Sequence, residues 1–186
     1  TNDEQWPYRV KFSGTDLLGN VTIPEGDPTD VETSLEVSLD ASSESYPLHT
    51  FNLLNEGVMQ KIAVAFKMQP SEIAAATLDD ATVKADGFNG PAEGKIAVGL
   101  TNPDGKVSYA YSANGIGFWI AADGTASSWG DTPIYYEYDA SGYGLTVGHN
   151  PGHSEKSKTY IIKPTMVYNK GGKLHKAVIT IKMKFA

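Results

Sequence analysis

Four rings and three polar side chains within one segment have the types and spacing to do chemistry together. Trp119, Trp129, Tyr135 and Tyr143 lie between residues 109 and 152, with Asn114, Asp123 and Asp131 interleaved. Flat aromatic faces stack on the C–H faces of sugars, while amides and carboxylates hydrogen-bond hydroxyls. This stretch holds two of the three tryptophans and six of the ten tyrosines. Carbohydrate binding is the chemistry these residues suggest, but the same types also build a sandwich core. Phe118 and Trp119 are adjacent on an expected strand, so they point to opposite faces and one of them is core. Trp129, followed by Gly130, could equally plug a loop against the sandwich.

Carboxylates in the same segment raise a second chemistry. Asp123, Asp131, Glu137 and Asp139 all lie near the aromatics, and glycoside cleavage uses a pair of such groups. On the strand expected over residues 134–139, Glu137 and Asp139 share a wet face with Tyr135, while Ile134, Tyr136 and Tyr138 turn inward. Solvated carboxylates are common on such a face. Nucleophilic catalysis finds no support, because there is no cysteine and no serine in a G-x-S-x-G elbow. Gly115-Ile116-Gly117 begins like a dinucleotide fingerprint, but Trp119 and Ile120 follow where a helix should open.

Metal ligands are sparse. His149 and His153 are four apart, but Pro151-Gly152 between them argues against a shared helical face, so both read as solvated loop histidines. The turn Gly26-Asp27-Pro28-Thr29-Asp30 offers oxygens without the spaced ligands of an EF-hand loop. No metal site and no cofactor is expected.

The elements that must position these residues are mainly strands. Val31, Thr33, Leu35, Val37 and Leu39 alternate with Glu32, Ser34, Glu36, Ser38 and Asp40, as in an antiparallel sheet with one wet face. Tyr8 to Phe12 alternates in the same way. Tyr160–Tyr168 and Leu174–Phe185 read as a hairpin turning through Asn169-Lys170-Gly171-Gly172-Lys173. Pro164 cannot donate a ladder bond, so the first arm should be an edge or bulged there. Turns are expected at Asn102-Pro103-Asp104-Gly105 and Ala121-Ala122-Asp123-Gly124. One helix is expected over residues 56–67 with Asn55 as N-cap, and a second from Pro70 through Ala76. The spacing therefore predicts a mainly β, antiparallel, jelly-roll-like sandwich, one domain over residues 8–186, with a helical insertion near 56–76. A polar tether over residues 1–7 precedes it.

Charge narrows the partners. The chain of 186 residues carries a net −7, which argues against nucleic acid. The tail from His153 holds eight lysines against Glu155, which reads as lysine-bearing solvent faces that discourage edge pairing. No apolar run reaches the roughly 18 residues of a membrane helix. A chain opening at Thr1 is expected to have lost a targeting segment.

An ordered series of short motifs runs through the second half: Tyr111-Ser112-Ala113-Asn114-Gly115, Phe118-Trp119-Ile120-Ala121-Ala122-Asp123-Gly124, Trp129-Gly130, Tyr138-Asp139 and Gly148-His149-Asn150-Pro151-Gly152. This series resembles the domain of unknown function 4859 family, from roughly Ser45 to Ala186, and the helix after Asn55 looks like that family's upstream helical element. His149-Asn150 departs from the pattern, which has a Gln followed by an aromatic. The resemblance implies a surface or secreted protein of Bacteroidetes, lipid-anchored outside the cell or at the outer-membrane surface, often beside glycan-processing modules. It carries over no catalytic residue. The resulting expectation is a non-catalytic glycan-binding or adhesion module whose partner is a polysaccharide or glycoprotein. A structural spacer or protein-interaction domain is the alternative, and a glycoside-active enzyme the third reading.

Overall fold

The computed structural model describes residues 19–186. The strand expected over residues 8–12 and the polar opening 1–7 lie outside the described residues.

In chain order the strands are β1 (Val31–Leu39), β2 (Pro47–Asn52), β3 (Ile96–Thr101), β4 (Val107–Ser108), β5 (Ile116–Ile120), β6 (Ala126–Ser127), β7 (Ile134–Asp139), β8 (Gly144–His149), β9 (Thr159–Ile162), β10 (Pro164–Lys170) and β11 (Lys173–Phe185). Three helices, α1 (Val58–Phe66), α2 (Pro70–Ala76) and α3 (Asp80–Val83), fill the connection between β2 and β3. The strands form two sheets. One runs β1-β11-β10-β3-β4, with β9 also paired to β11; the other runs β2-β8-β7-β5-β6. Apolar faces of both sheets meet in one core, where Phe118, Tyr136 and Val147 join Val98, Met166 and Ile181. The architecture is the mainly β sandwich that the alternation predicts.

Two tyrosines from the second sheet side of this core reach across it. Tyr136 Oη donates to the Gly99 carbonyl at 2.6 Å and Tyr111 Oη to the Val98 carbonyl at 2.8 Å. A buried phenol must find a partner, and here each partner is the backbone of β3.

The alternation of β1 places Thr33, Leu35 and Leu39 inward as expected. Its neighbour differs from expectation: β1 runs parallel to β11, from Val31 opposite Ala177 to Leu39 opposite Phe185. Alternation fixes which face is buried but does not set the direction of the partner strand. Asp30, from the turn read as a possible cation loop, instead accepts a hydrogen bond from the Lys176 backbone at 2.9 Å and fastens the start of β1 to β11.

Pro164 also departs in part from expectation. β9 and β10 both pair with β11, and the register is the same on either side of the break: Thr165 faces Val178 and Ile162 faces Ile181. There is no bulge; the β9 half of the arm pairs only with β11 and is an edge as expected, while β10, from Pro164 onward, lies between β11 and β3. The proline interrupts the ladder by its missing N–H, and the Lys163 carbonyl beside it accepts from Thr101 N at 3.0 Å.

Pro70 opens α2, which ends at Ala76 as expected, with the Glu72 carboxylate accepting from the Gln69 N–H. Asn55 does not cap α1. Gly57 takes that position at φ 79°, because Asn52 Oδ1 captures the N–H groups of Leu54 and Asn55 and turns the chain first. No helix among the described residues is long and apolar enough to cross a membrane.

Candidate functional site

The outer face of the second sheet carries the candidate site. Period two along β5 and β7 sends Phe118, Ile120, Ile134, Tyr136 and Tyr138 into the main core. The residues between them, Trp119 and Tyr135, point outward, where with Ala113 they form a second, separate apolar cluster. Trp119 stands opposite Tyr135 in the β5–β7 ladder. Their ring centroids are 4.8 Å apart and the planes are inclined by 44°. The Tyr46 ring stands nearly perpendicular to Trp119, at 84° and 6.2 Å.

A glycine on β8 makes room for this packing. Gly148 pairs with Tyr135 across the ladder. A Cβ at Gly148 would lie 2.1 Å from the Tyr46 carbonyl oxygen and 2.5 Å from Tyr135 Cε1. Only a residue without a side chain lets the Tyr135 ring and the Tyr46 backbone close over that strand.

These rings line a cleft of about 570 Å³. The buried rings of Trp119 and Tyr135 line it together with Tyr46-Pro47, Ser112 to Asn114, Trp129 and Glu137. Ser112 is pinned in place, accepting the Trp119 N–H at 2.8 Å. Trp129 is 64% exposed, against 8% for Trp119 and 5% for Tyr135.

The Trp129 loop is braced. Thr132 Oγ1 donates to the Ser128 carbonyl, and Asn150 Nδ2 donates to the Gly130 carbonyl. Asn150 N–H also donates to the Pro133 carbonyl at 3.0 Å. Gly130, at φ 131°, takes a backbone conformation open to glycine. The loop therefore holds an exposed indole on a fixed backbone.

Among the described residues, Glu137 is the only carboxylate in the lining. It is partly buried, and burial raises its carboxyl above the usual range. No hydrogen bond or ion pair to its side chain is found among the described residues, and no lysine, arginine or histidine lines the cleft. Burial, with the Glu137 charge added, pushes the Tyr135 hydroxyl up to about 12.

Of the seven residues singled out in the sequence, the structure brings four together here: Trp119, Trp129, Tyr135 and Asn114. The other three lie outside the cleft lining. Asp123 belongs to the turn between β5 and β6, where its carboxylate accepts the Thr125 N–H at 2.9 Å and is held below its ordinary range by that bond. Asp131 is exposed on the Trp129 loop. Tyr143 is at φ 57° in the β7–β8 turn, packed against the main core, with its carbonyl accepting from Leu53 N–H.

Sequence reasoning missed Tyr46, Pro47 and Ser112, and it weighed Glu137 only as half of a hydrolytic pair. Tyr46 is far from the others in sequence and enters through the β2–β8 pairing. A glycine opposite an aromatic on a paired strand was the available signal.

Two further expectations need correction or sharpening. His149 is not a solvated loop histidine; it is fully buried, with Nδ1 2.7 Å from Ser154 Oγ and its ring stacked on Phe185 at 5.9 Å. It ends β8 as part of the ladder, so burial follows from the strand and not from the Pro-Gly turn after it. His153 is exposed as expected. Among the described residues no group of three or more His, Cys, Asp or Glu could hold a metal ion. A larger hollow of about 730 Å³, near Asp40, Ser42, Ser154 and Lys156, has no aromatic ring among its described lining residues, and its acidic side chain, Asp40, is already bonded to Ser42.

The chain belongs to the family described as a domain of unknown function (DUF4859), whose model matches residues 45–173, more than two thirds of its length. No curated protein and no solved structure matches it. The match stops where β11 begins, although β11 is the strand between β1 and β10.

Proposed function

We propose that this family member is a non-catalytic saccharide-binding or adhesion module whose ligand occupies the cleft beneath Trp129. The observation that carries this reading is convergence. Four of the five short motifs spaced along the second half contribute to one place: Ser112 to Asn114, Trp119 and Trp129 line the cleft, and Gly148 and Asn150 support it. An exposed indole on a braced loop, above buried rings and beside amide, hydroxyl and carboxylate groups, is the equipment of sugar recognition. The rings are inclined to one another and do not form a flat platform, so the cleft suits a chain end or a short stretch of glycan. A two-carboxylate hydrolytic mechanism needs a second acid, and Glu137 has none beside it in the lining. The cell-surface setting implied by the resemblance is part of the same proposal, with a polysaccharide or glycoprotein as partner.

A glycan array with the folded chain tests this. Binding to a defined saccharide set that is lost in Trp129→Ala supports the reading, and uniform silence across host and dietary polysaccharides counts against it. The second reading, a spacer or protein-interaction domain, is favoured by the burial of Trp119 and Tyr135, which shows those rings packing against protein. Under that reading Trp129→Ala changes no saccharide binding.

A further inference from the structure

We infer that the cleft under Trp129 is built for a ligand carrying a positively charged nitrogen, either an amino sugar or an alkylammonium group. This deepens the saccharide reading in its first form and goes beyond it in its second. The shared chemistry is an organic ammonium held between aromatic faces and one carboxylate.

Three observations carry the inference. The first is ring geometry. Trp119, Tyr135, Tyr46 and Trp129 all line one cleft, with Tyr46 near perpendicular to Trp119 and Tyr135 inclined to it by 44°. Coplanar rings would favour stacking on an extended sugar chain. Rings inclined to one another in one lining do not offer a single flat platform, and an aromatic lining of this kind can attract a cation through the ring quadrupoles.

The second observation is the unmatched charge. Glu137 brings a carboxylate to the same lining, partly buried, with no cation beside it and no hydrogen bond to its side chain among the described residues. A carboxylate removed from water without a partner is costly, and a bound cation would relieve that cost. The third is the rest of the lining. Ser112, Asn114, Pro47 and Ala113 add no positive charge, so among the described residues of the lining none repels an ammonium group. The same lining disfavours anionic sugars such as uronates, because Glu137 would face their carboxylates without an intervening cation.

The geometry also separates the roles of the residues. Trp129 is largely exposed in the lining, so its indole is free to touch a ligand and its removal should cost little stability. Glu137 supplies the selectivity between charged and neutral ligands. Tyr135 and Trp119 are the buried rings of the lining.

Titration of intrinsic tryptophan fluorescence, backed by calorimetry, tests the inference with six probes: tetramethylammonium, choline, glucosamine, N-acetylglucosamine, glucose and glucuronate. The expected result is tighter binding of glucosamine than of N-acetylglucosamine or glucose, or of choline and tetramethylammonium over all neutral sugars, by at least about tenfold. Glu137→Gln should erase that preference while leaving any neutral sugar's affinity within about twofold. Raising the salt concentration should weaken the cations and not the neutral probes.

The outcomes separate the two proposals. Neutral saccharides binding as tightly as their cationic analogues, with Glu137→Gln silent, overturns this inference and leaves the saccharide reading standing. Choline binding with no saccharide of either charge binding supports the inference and removes the saccharide reading. No probe binding at all overturns both. Trp129→Ala, read by calorimetry because it removes one of the reporter indoles, should weaken every bound probe, and a urea midpoint unchanged from the parent chain shows that the loss is not unfolding.

Discussion

The two faces of the second sheet are made from the same strands and adjacent residues, yet they are packed differently. On β5 and β7 the inner set, Phe118, Tyr136 and Tyr138, is buried in the main core, and Tyr136 is tied to β3 by a hydrogen bond across it. The outer set, Trp119 and Tyr135, is buried almost as deeply, but in a small separate cluster with Ala113, flanked by the half-exposed Tyr46 ring. Burial by itself therefore does not distinguish a structural ring from one that serves a surface. What distinguishes them is how many neighbours close around the ring and whether a gap remains on one side. The inner rings are enclosed by both sheets, and the outer rings are roofed by a cleft.

Substitution to alanine at the two adjacent positions is the strongest way to break that comparison. Phe118→Ala removes a fully buried ring surrounded by both sheets, and the expected cost is about 3–5 kcal/mol. Trp119→Ala removes a larger ring, but one whose outer side already opens to the cleft, and the expected cost is smaller, about 2 kcal/mol. Urea unfolding of both variants checks the order. Equal losses, or a greater loss at Trp119, would mean that the outer cluster is a second structural core and would favour the spacer reading.

A glycine pair on β8 sharpens the same point at lower cost. Gly148→Ala forces a Cβ to within 2.1 Å of the Tyr46 backbone and into the Tyr135 ring, so the cleft wall must move, at about 1–3 kcal/mol. Gly144, at the other end of the strand, has only Thr50 Cγ2 at 3.6 Å, an ordinary contact. Gly144→Ala should shift stability by no more than about 0.5 kcal/mol. Near-ultraviolet circular dichroism should change for Gly148→Ala, as the tyrosine and tryptophan packing is disturbed, and stay constant for Gly144→Ala. Identical spectra for both variants would show that Tyr46 and Tyr135 adapt freely, and the cleft would then be no fixed site.

The inner face was legible in the sequence and the outer face was only half legible, for a physical reason. Alternation reports which residues leave water, so Ile134, Tyr136 and Tyr138 could be assigned to the core before any coordinates. The expectation that one of Phe118 and Trp119 is core holds as well, with Phe118 in that role. The outer face was expected to be wet, and Tyr135 is not, because the glycine opposite leaves room for its ring beside the backbone of Tyr46, just before the edge strand. Neither partner is near in sequence, so no local pattern announces the pairing. The parallel β1–β11 contact and the unbroken register across Pro164 escaped for the same reason. Trp129 and Asn114 could be singled out by composition, but the brace from Asn150 to the Trp129 loop depends on tertiary structure alone.

The smallest expected effect concerns the charge on the outer face. Burial raises the Glu137 carboxyl above its ordinary value of 4.5, so the folded state prefers the protonated form more than the unfolded chain does. The stability that this preference contributes is fully present below pH 4.5 and is lost as pH rises through the folded-state value. Glu137→Gln stays neutral throughout and does not share that loss. The thermal midpoint of the variant, relative to the parent chain, should therefore be higher at pH 7 than at pH 4. No inner-face residue of β7 carries a charge that could produce this difference, so the experiment reads the outer face alone. A bound ammonium ligand should shrink the gap at pH 7 by supplying the missing partner to the parent chain and little to the variant. A gap that is already absent without ligand would mean that water reaches Glu137 freely, and the unmatched carboxylate would lose its force as a sign of the ligand's charge.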